Sequence, residues 1–212
     1  MKYVKDEKGS ATIYLLWIMT TIIVISVIVI NIARVYVVKH QASTAAHLGA
    51  IAATSEILFA TEEAIKEFDE KMLELLEVDA DYEPLWDEIL ERKSEHMSMG
   101  DAEEEAYIKS LNEILPSSLS NELLKEIFEM KFKMDPTLSS DIYHSVEKIV
   151  RENEGNEEHL EIVISEDKYR VEVKTDATFD SITDGSFLNR FSKDIPQKGY
   201  GPSLRYLQYV LN

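Results

Sequence analysis

The sequence predicts an α+β fold that is mostly α: an N-terminal transmembrane helix continues into a long stalk helix, and a helical domain follows that carries a C-terminal antiparallel β-hairpin. Three observations support this prediction. Residues 9–33 include no charged side chain, no proline occurs before Pro84, and apolar residues recur at every second position from Leu160 to Ile164 and from Tyr169 to Val173. An uncharged apolar stretch is typical of a membrane helix, and alternation with period two is typical of strands.

The apolar stretch is long enough to cross a bilayer. A helix over residues 11–30 spans about 30 Å, which is the thickness of the hydrocarbon core. Many of its residues are β-branched and form helices poorly in water, but lipid requires every backbone group to pair within the segment. Two other readings are a cleaved secretory signal and a buried helix of a soluble protein; signal peptides have shorter apolar runs, of about 7–15 residues.

The distribution of basic residues predicts the orientation of this helix. Lys2, Lys5 and Lys8 precede it, and Arg34 and Lys39 follow it. Because the more basic flank remains in the cytoplasm, we expect a cytoplasmic N-terminus and an extracytoplasmic C-terminal domain. The predicted division of the chain is a cytoplasmic N-terminus (1–8), a transmembrane helix (9–33), a small-residue helical stalk (34–60) and an acidic extracytoplasmic domain (61–212).

The stalk is rich in small side chains, which let helix backbones approach closely. They predict a packing face for neighbouring helices, made of Ala42, Ala45, Ala46, Gly49, Ala50 and Ala53. A second reading is that alanine is simply the best helix former. The two readings remain open at this point.

Beyond the stalk, apolar residues recur at helical spacing between recognisable start and stop signals. We predict one helix that starts at Pro84 and reaches about Arg92, and another that opens with a capping box of Asp101 and Glu104 and ends at Pro116. The next helix is predicted to be capped by Ser118 or Ser120, and the last to start at Asp135-Pro136. A hairpin with its turn at Glu166-Asp167 follows, and residues 179–212 are predicted to be irregular apart from a short terminal helix.

The composition disfavours several functions. Beyond residue 40 the chain has 17 basic and 38 acidic residues, a formal charge of −21, which disfavours binding to nucleic acid. Cysteine is absent, so disulfides and thiolate sites are excluded. The five histidines are scattered without metal-ligand or catalytic spacing, and Asp176, Asp180 and Asp184 do not match a calcium loop. We therefore predict no catalytic residue, no metal, no cofactor and no enzyme.

A series of elements near the N-terminus resembles a known family. They are Lys8-Gly9, the long apolar helix, Arg34-Val35-Tyr36, Gln41, Ala45-Ala46 and residues 50–53. In this order and spacing they resemble the pilin-like TadE/TadG proteins of the tight adherence (Flp) pilus assembly system. The resemblance covers about residues 8–60.

The resemblance implies that a prepilin peptidase cuts after Gly9, which leaves Ser10 as the first mature residue. It also implies a glutamate at the fifth mature position, where this chain has Tyr14. An uncleaved, TadG-like anchored protein fits this departure better. The implied function is an accessory or minor pilin-like component of the pilus or a related secretion apparatus, and its partners would be other pilin-like or pilus-assembly membrane proteins, bound through the N-terminal helix. The alternative is a single-pass membrane-tethered binding or sensor module unrelated to pili.

Overall fold

The structure, a computed structural model, describes residues 7–75, 82–179 and 194–211. Its first element is one continuous helix, α1, from Glu7 to Leu75. No proline interrupts this stretch, so every interior backbone N–H can pair within the helix. The predicted continuation of the apolar helix into a long second part is confirmed.

Four further helices precede the sheet. They are α2 (Leu85–Ser98), α3 (Glu103–Ser118), α4 (Glu122–Glu129), which continues into a π-helical turn (Met130–Met134), and α5 (Pro136–Glu152). Short 3₁₀ turns follow at Glu157–His159 and Arg205–Leu207, and α6 (Gln208–Leu211) is the predicted terminal helix. The mostly helical class is therefore confirmed.

The helix starts were predicted with mixed success. Asp135 caps α5 as expected, because its Oδ1 accepts a hydrogen bond of 2.8 Å from the backbone N–H of Thr137. The capping box of Asp101 and Glu104 was wrong: the N-cap residue is Ala102 and makes no side-chain bond, while Asp101 pairs with Lys109.

Two other boundaries also differ from the prediction. The cap of α4 is Asn121 rather than Ser118 or Ser120. Pro116 does not end α3, which continues for two more residues to Ser118. Pro116 stands in the last turn of α3, and the N–H of Leu119 still closes that turn by donating to the carbonyl of Leu115.

The sheet has three antiparallel strands in the order β1 (Glu161–Ser165), β2 (Arg170–Thr178), β3 (Asp194–Tyr200). The first two form the predicted hairpin, in which Ile164 pairs with Val171. Tyr169, predicted as a strand residue, lies instead in the turn with a positive φ of 47°. β3 falls within the stretch that was predicted to be irregular.

The core forms around the C-terminal half of α1. Its Ile57 and Ile65 are buried together with Val146 of α5 and Val173 of β2. Between these two isoleucines, the hydroxyl of Thr61 lies 2.7 Å from the hydroxyl of Tyr206, and both residues are buried. α1 is thus the central helix of the domain, and the region predicted as a stalk lies partly inside that domain.

Candidate functional site

The N-terminal half of α1 projects from the domain as an exposed apolar rod. It contains an 18-residue window of mean hydropathy 2.7, none of which is buried, so by length and composition this helix can cross a membrane. Two of its hydroxyls are satisfied locally: those of Thr20 and Thr21 donate to the carbonyls of Leu16 and Trp17, each at 2.9 Å. Such bonds within the helix suit these two side chains to lipid.

The residues predicted to take part in processing lie at the start of this rod. Gly9 and Ser10 are in the first turns of α1, and Tyr14 follows with 68% of its surface exposed. The predicted cytoplasmic segment, residues 1–8, lies almost entirely outside the described residues. Tyr14 therefore presents its phenol, rather than the carboxylate that the resemblance implies, on the open surface of the helix.

The small-residue face is buried completely. Ala42, Ala45, Ala46, Ala50 and Ala53 have no exposed surface. They contact the chain's own α5, β2 and β3, and the packing is so close that a Cβ added at Gly49 would lie 3.1 Å from Val146. The face predicted to pack against other helices is thus filled by this chain's own domain.

Glycines on the other side make this close approach possible. A Cβ at Gly155 would lie 2.9 Å from the Cβ of Ala45, and one at Gly199 would lie 2.0 Å from the carbonyl oxygen of Ala46. Farther along, a Cβ at Gly201 would lie 2.3 Å from the hydroxyl of Thr54. No local sequence pattern connects Gly155, Gly199 or Gly201 with α1, so sequence reasoning missed this contact.

The opposite side of the same segment remains exposed. Leu48, Ile51 and Phe59 are 38%, 41% and 60% exposed, and Ser55 completes a stripe with helical spacing. No Asp, Glu, Lys or Arg occurs in residues 41–55, so the stripe continues the apolar rod into the domain. The sequence reading did not separate this outer stripe from the inner small-residue face.

Histidines and aspartates are the candidate metal or acid–base groups of the described residues. Among the described residues no group of three or more His, Cys, Asp or Glu side chains could hold a metal ion. His159 lies 2.8 Å from Asp176, and His144 bonds to Ser140 on its own helix. Asp180 and Asp184, the other members of the acidic series, lie outside the described residues.

Comparison with known proteins identifies the segment that contains the rod and the small-residue face. Residues 9–56 match the family model described as "Putative Flp pilus-assembly TadE/G-like". The N-terminal segment is TadE/G-like. The predicted resemblance over residues 8–60 is confirmed, and it supports a role in the Flp pilus assembly system. No curated protein and no solved structure matches the chain.

The TadE/G-like segment is not a separate structural unit. It covers the exposed rod and runs into the core as far as Glu56, whose carboxylate accepts a hydrogen bond from the Ser145 hydroxyl of α5. The domain of residues 82–179 and 194–211 is therefore built directly onto the second half of α1. A rigid connection between rod and domain follows, because α1 passes from one to the other without a break.

Proposed function

We propose that this chain is a membrane-anchored accessory or minor pilin-like component of a tight-adherence (Flp) pilus or a related secretion apparatus. The observation that carries the proposal is that the TadE/G-like match begins at Gly9 and covers the entire exposed apolar rod. The acidic domain lies outside the membrane and the N-terminus in the cytoplasm. Lys2, Lys5 and Lys8 against Arg34 and Lys39 support this orientation.

Lipid is the environment that the rod favours energetically. Burial of one large aliphatic side chain contributes about 1.5–3 kcal/mol. Residues 22–30 alone include Ile22, Ile23, Ile25, Ile28 and Ile30, each about half exposed. In water this surface would be left uncovered, and exposed apolar patches of this size mark interaction or membrane sites. Insertion of the rod in a bilayer removes the free-energy cost of exposing these side chains to water.

We further propose that the chain remains uncleaved. Gly9 and Ser10 occupy the positions of a prepilin cleavage site, but Tyr14 replaces the expected glutamate. In pilin-like relatives that carboxylate is thought to pair with a neighbour's new terminal amine, and Tyr14 has no carboxylate to form this pair. The chain would then act as a fixed anchor beside the filament and keep residues 1–9.

Contacts with partners are expected to fall on the exposed parts of α1. Ala42, Ala45, Ala46, Gly49, Ala50 and Ala53 retain their helix-packing role, but within the chain, where they seat the domain on the helix. The rod and the stripe of Leu48, Ile51 and Phe59 remain open to other pilin-like or pilus-assembly membrane proteins. In lipid the rod can associate with another helix through van der Waals packing, and the stripe offers an apolar contact surface beyond the membrane.

Single cysteines can test anchoring, orientation and processing together, because the chain has none of its own. In whole cells, Ser94→Cys on the exposed side of α2 should react with a membrane-impermeant maleimide. Val4→Cys, which keeps Lys2, Lys5 and Lys8 in place, should react only after detergent lysis. Both variants should be recovered in the membrane fraction at the full mass. Recovery in the aqueous fraction, or labelling in the opposite order, contradicts the proposed anchoring or topology.

A helix exchange separates an assembly component from a mere anchor. Replacing residues 11–37 by an unrelated transmembrane helix of equal length should strongly reduce co-purification with other pilus proteins, because the partner surface of the rod is lost while the domain and the stripe of Leu48, Ile51 and Phe59 are kept. The exchange must stop before Gln41, since this side chain bonds to Glu154 and begins the domain contact. The control is an unchanged thermal transition of the domain. Co-purification at the native level would favour the membrane-tethered binding or sensor module.

A further inference from the structure

An open cleft of about 470 Å³ lies at one end of the sheet, away from the rod. One wall is the turn between β1 and β2, with Asp167, Lys168 and Arg170. The other wall follows β3 and includes Ser203, Arg205 and Gln208. Small-molecule and peptide side-chain sites typically have volumes of about 300–1,000 Å³, so the cleft has room for a ligand.

Hydrogen bonds hold the two walls together. The N–H of Leu204 donates to the carbonyl of Tyr169 at 2.7 Å, and the Ser203 hydroxyl donates to the carbonyl of Lys168 at 2.7 Å. The Asn112 amide of α3 donates to the carbonyl of Ser203 at 2.9 Å and ties the second wall to the helices. The backbone of the cleft is thus fixed before any ligand arrives, which lowers the entropic cost of binding.

The charge of the cleft is opposite to that of the domain. Lys168, Arg170 and Arg205 are basic and Asp167 is the acidic lining residue, whereas the chain has a net charge of −18. Arg170 is engaged, because its guanidinium lies 3.1 Å from Glu172. Within residues 7–75, 82–179 and 194–211 no carboxylate forms an ion pair with Lys168 or Arg205, and both are exposed. Two uncompensated bases therefore flank one cleft.

We propose that this cleft binds a carboxylate group of a peptide segment. Lys168 and Arg205 pair with the carboxylate, and Asp167 and Gln208 are placed among the lining residues to meet the amide groups next to it. Charge-assisted hydrogen bonds of this kind are stronger than neutral ones. With Arg170 neutralised by Glu172 and one further charge offset by Asp167, the remaining positive charge matches a single carboxylate.

A polymer of repeated phosphates is a poorer match. The domain beyond residue 40 has a formal charge of −21, so a polyanion that extends out of the cleft would be repelled by the surrounding surface. A peptide that presents one isolated carboxylate avoids most of this repulsion.

The headgroups of the anchoring membrane are out of reach. Gly201 at the base of the cleft contacts Thr54, which lies 21 residues beyond Ala33 on the same helix. At 1.5 Å per residue this is about 30 Å along the helix axis. The cleft therefore faces a ligand from the surroundings of the domain, and the proposal is independent of the pilus role: anchoring and co-purification do not depend on it.

The experiment uses the full chain in non-ionic detergent at physiological salt, with ligand-observed saturation-transfer NMR as the readout. The probes are N-acetyl-Ala-Ala-Ala with a free carboxylate and the same peptide as its C-terminal amide. We expect the Kd of the acid to be at least about tenfold lower than that of the amide, because only the acid forms charge-assisted bonds. Saturable binding of the acid without this preference, or no binding of it, overturns the proposal.

Four variants locate the binding within the cleft. Lys168→Ala and Arg205→Ala should each raise the Kd of the acid about fivefold or more, and Asp167→Asn should lower it about twofold to fivefold because one repulsive charge is removed. Lys198→Ala is the matched control, since it removes an exposed base of β3 that does not line the cleft. A loss of equal size in Lys198→Ala, or tighter binding of dimethyl phosphate than of the acid, contradicts a carboxylate site.

Discussion

Gly199→Ala is expected to destabilise the domain by about 3 kcal/mol or more. The added Cβ would lie 2.0 Å from the carbonyl oxygen of Ala46, 2.1 Å from its carbonyl carbon and 2.3 Å from the backbone nitrogen of His47. These are backbone atoms of a central helix, so no side-chain rotation relieves the overlap. Either β3 separates from β2, to which Gly199 is paired opposite Val173, or the sheet moves off α1.

Chemical unfolding of the full chain in detergent, followed by tryptophan fluorescence and circular dichroism, measures this loss. Lys198→Ala is a suitable control because it changes the neighbouring, exposed residue of the same strand. We expect its midpoint to stay close to that of the native chain. If Gly199→Ala unfolds at the same denaturant concentration as the control, β3 does not pack on the backbone of α1 as described.

Because of the same close packing, substitutions in the small-residue face test the stability of the domain rather than contacts with partner proteins. Ala46→Leu and Ala53→Leu introduce large side chains at positions with no exposed surface. Overpacking of a filled site forces backbone shifts, so a loss of pilus assembly in these variants would reflect a disturbed domain. Substitutions on the exposed stripe, such as Phe59→Ser, test contacts with partners without that complication.

Features encoded by neighbouring residues could be predicted from the sequence. The long helix α1, of 69 residues, was predicted from the lack of proline. The cap of α5 was predicted from Asp135-Pro136, and the hairpin was predicted from the alternation on both sides of Glu166-Asp167. Each of these signals acts within a few residues, where a period or a cap determines the backbone conformation. The TadE/G-like segment was recognised for the same reason, because its elements are contiguous.

Features that depend on distant residues could not be predicted. β3 includes Pro196 and has no apolar alternation; it is a strand because β2 pairs with it and α1 supports it. A packing face at Ala45 and Ala46 was one of two open readings. Small side chains pack closely against any partner, and here they lie against glycines more than 100 residues away. The cleft likewise joins residues 167–170 to residues 201–208, which no local pattern connects.

A buried carboxylate on α1 positions the start of α2, and its removal is the second large effect that we expect. Asp69 is 7% exposed and accepts three hydrogen bonds: from the Tyr82 hydroxyl at 2.6 Å and from the N–H groups of Leu85 and Trp86 at 2.9 Å each. Pro84, the N-cap residue of α2, provides no side-chain bond. Asp69, on α1, therefore caps the start of α2. Its negative charge also stabilises α2 through the helix dipole.

Asp69→Ala should lower the free energy of unfolding by about 3 kcal/mol, because it leaves two backbone donors at the helix start without their acceptor. Tyr82→Phe should cost only about 1 kcal/mol, since it removes one donor. Burial and the bond to Asp69 raise the pKa of Tyr82, so its hydroxyl remains a donor at neutral pH. Asp69→Asn keeps one acceptor oxygen, so its loss in free energy of unfolding should lie between those of Asp69→Ala and Tyr82→Phe.

The order of the three variants in free energy of unfolding shows whether Asp69 acts as a helix cap or only as a hydrogen-bond partner of Tyr82. Chemical unfolding gives the free energies, and amide hydrogen exchange at Leu85 and Trp86 reports the cap directly. In Asp69→Ala both amides should exchange faster, whereas in Tyr82→Phe they should remain protected because their acceptor is still present. Equal exchange in the two variants would mean that the start of α2 is held by its packing alone, and Asp69 would then stabilise the fold only through the tyrosine.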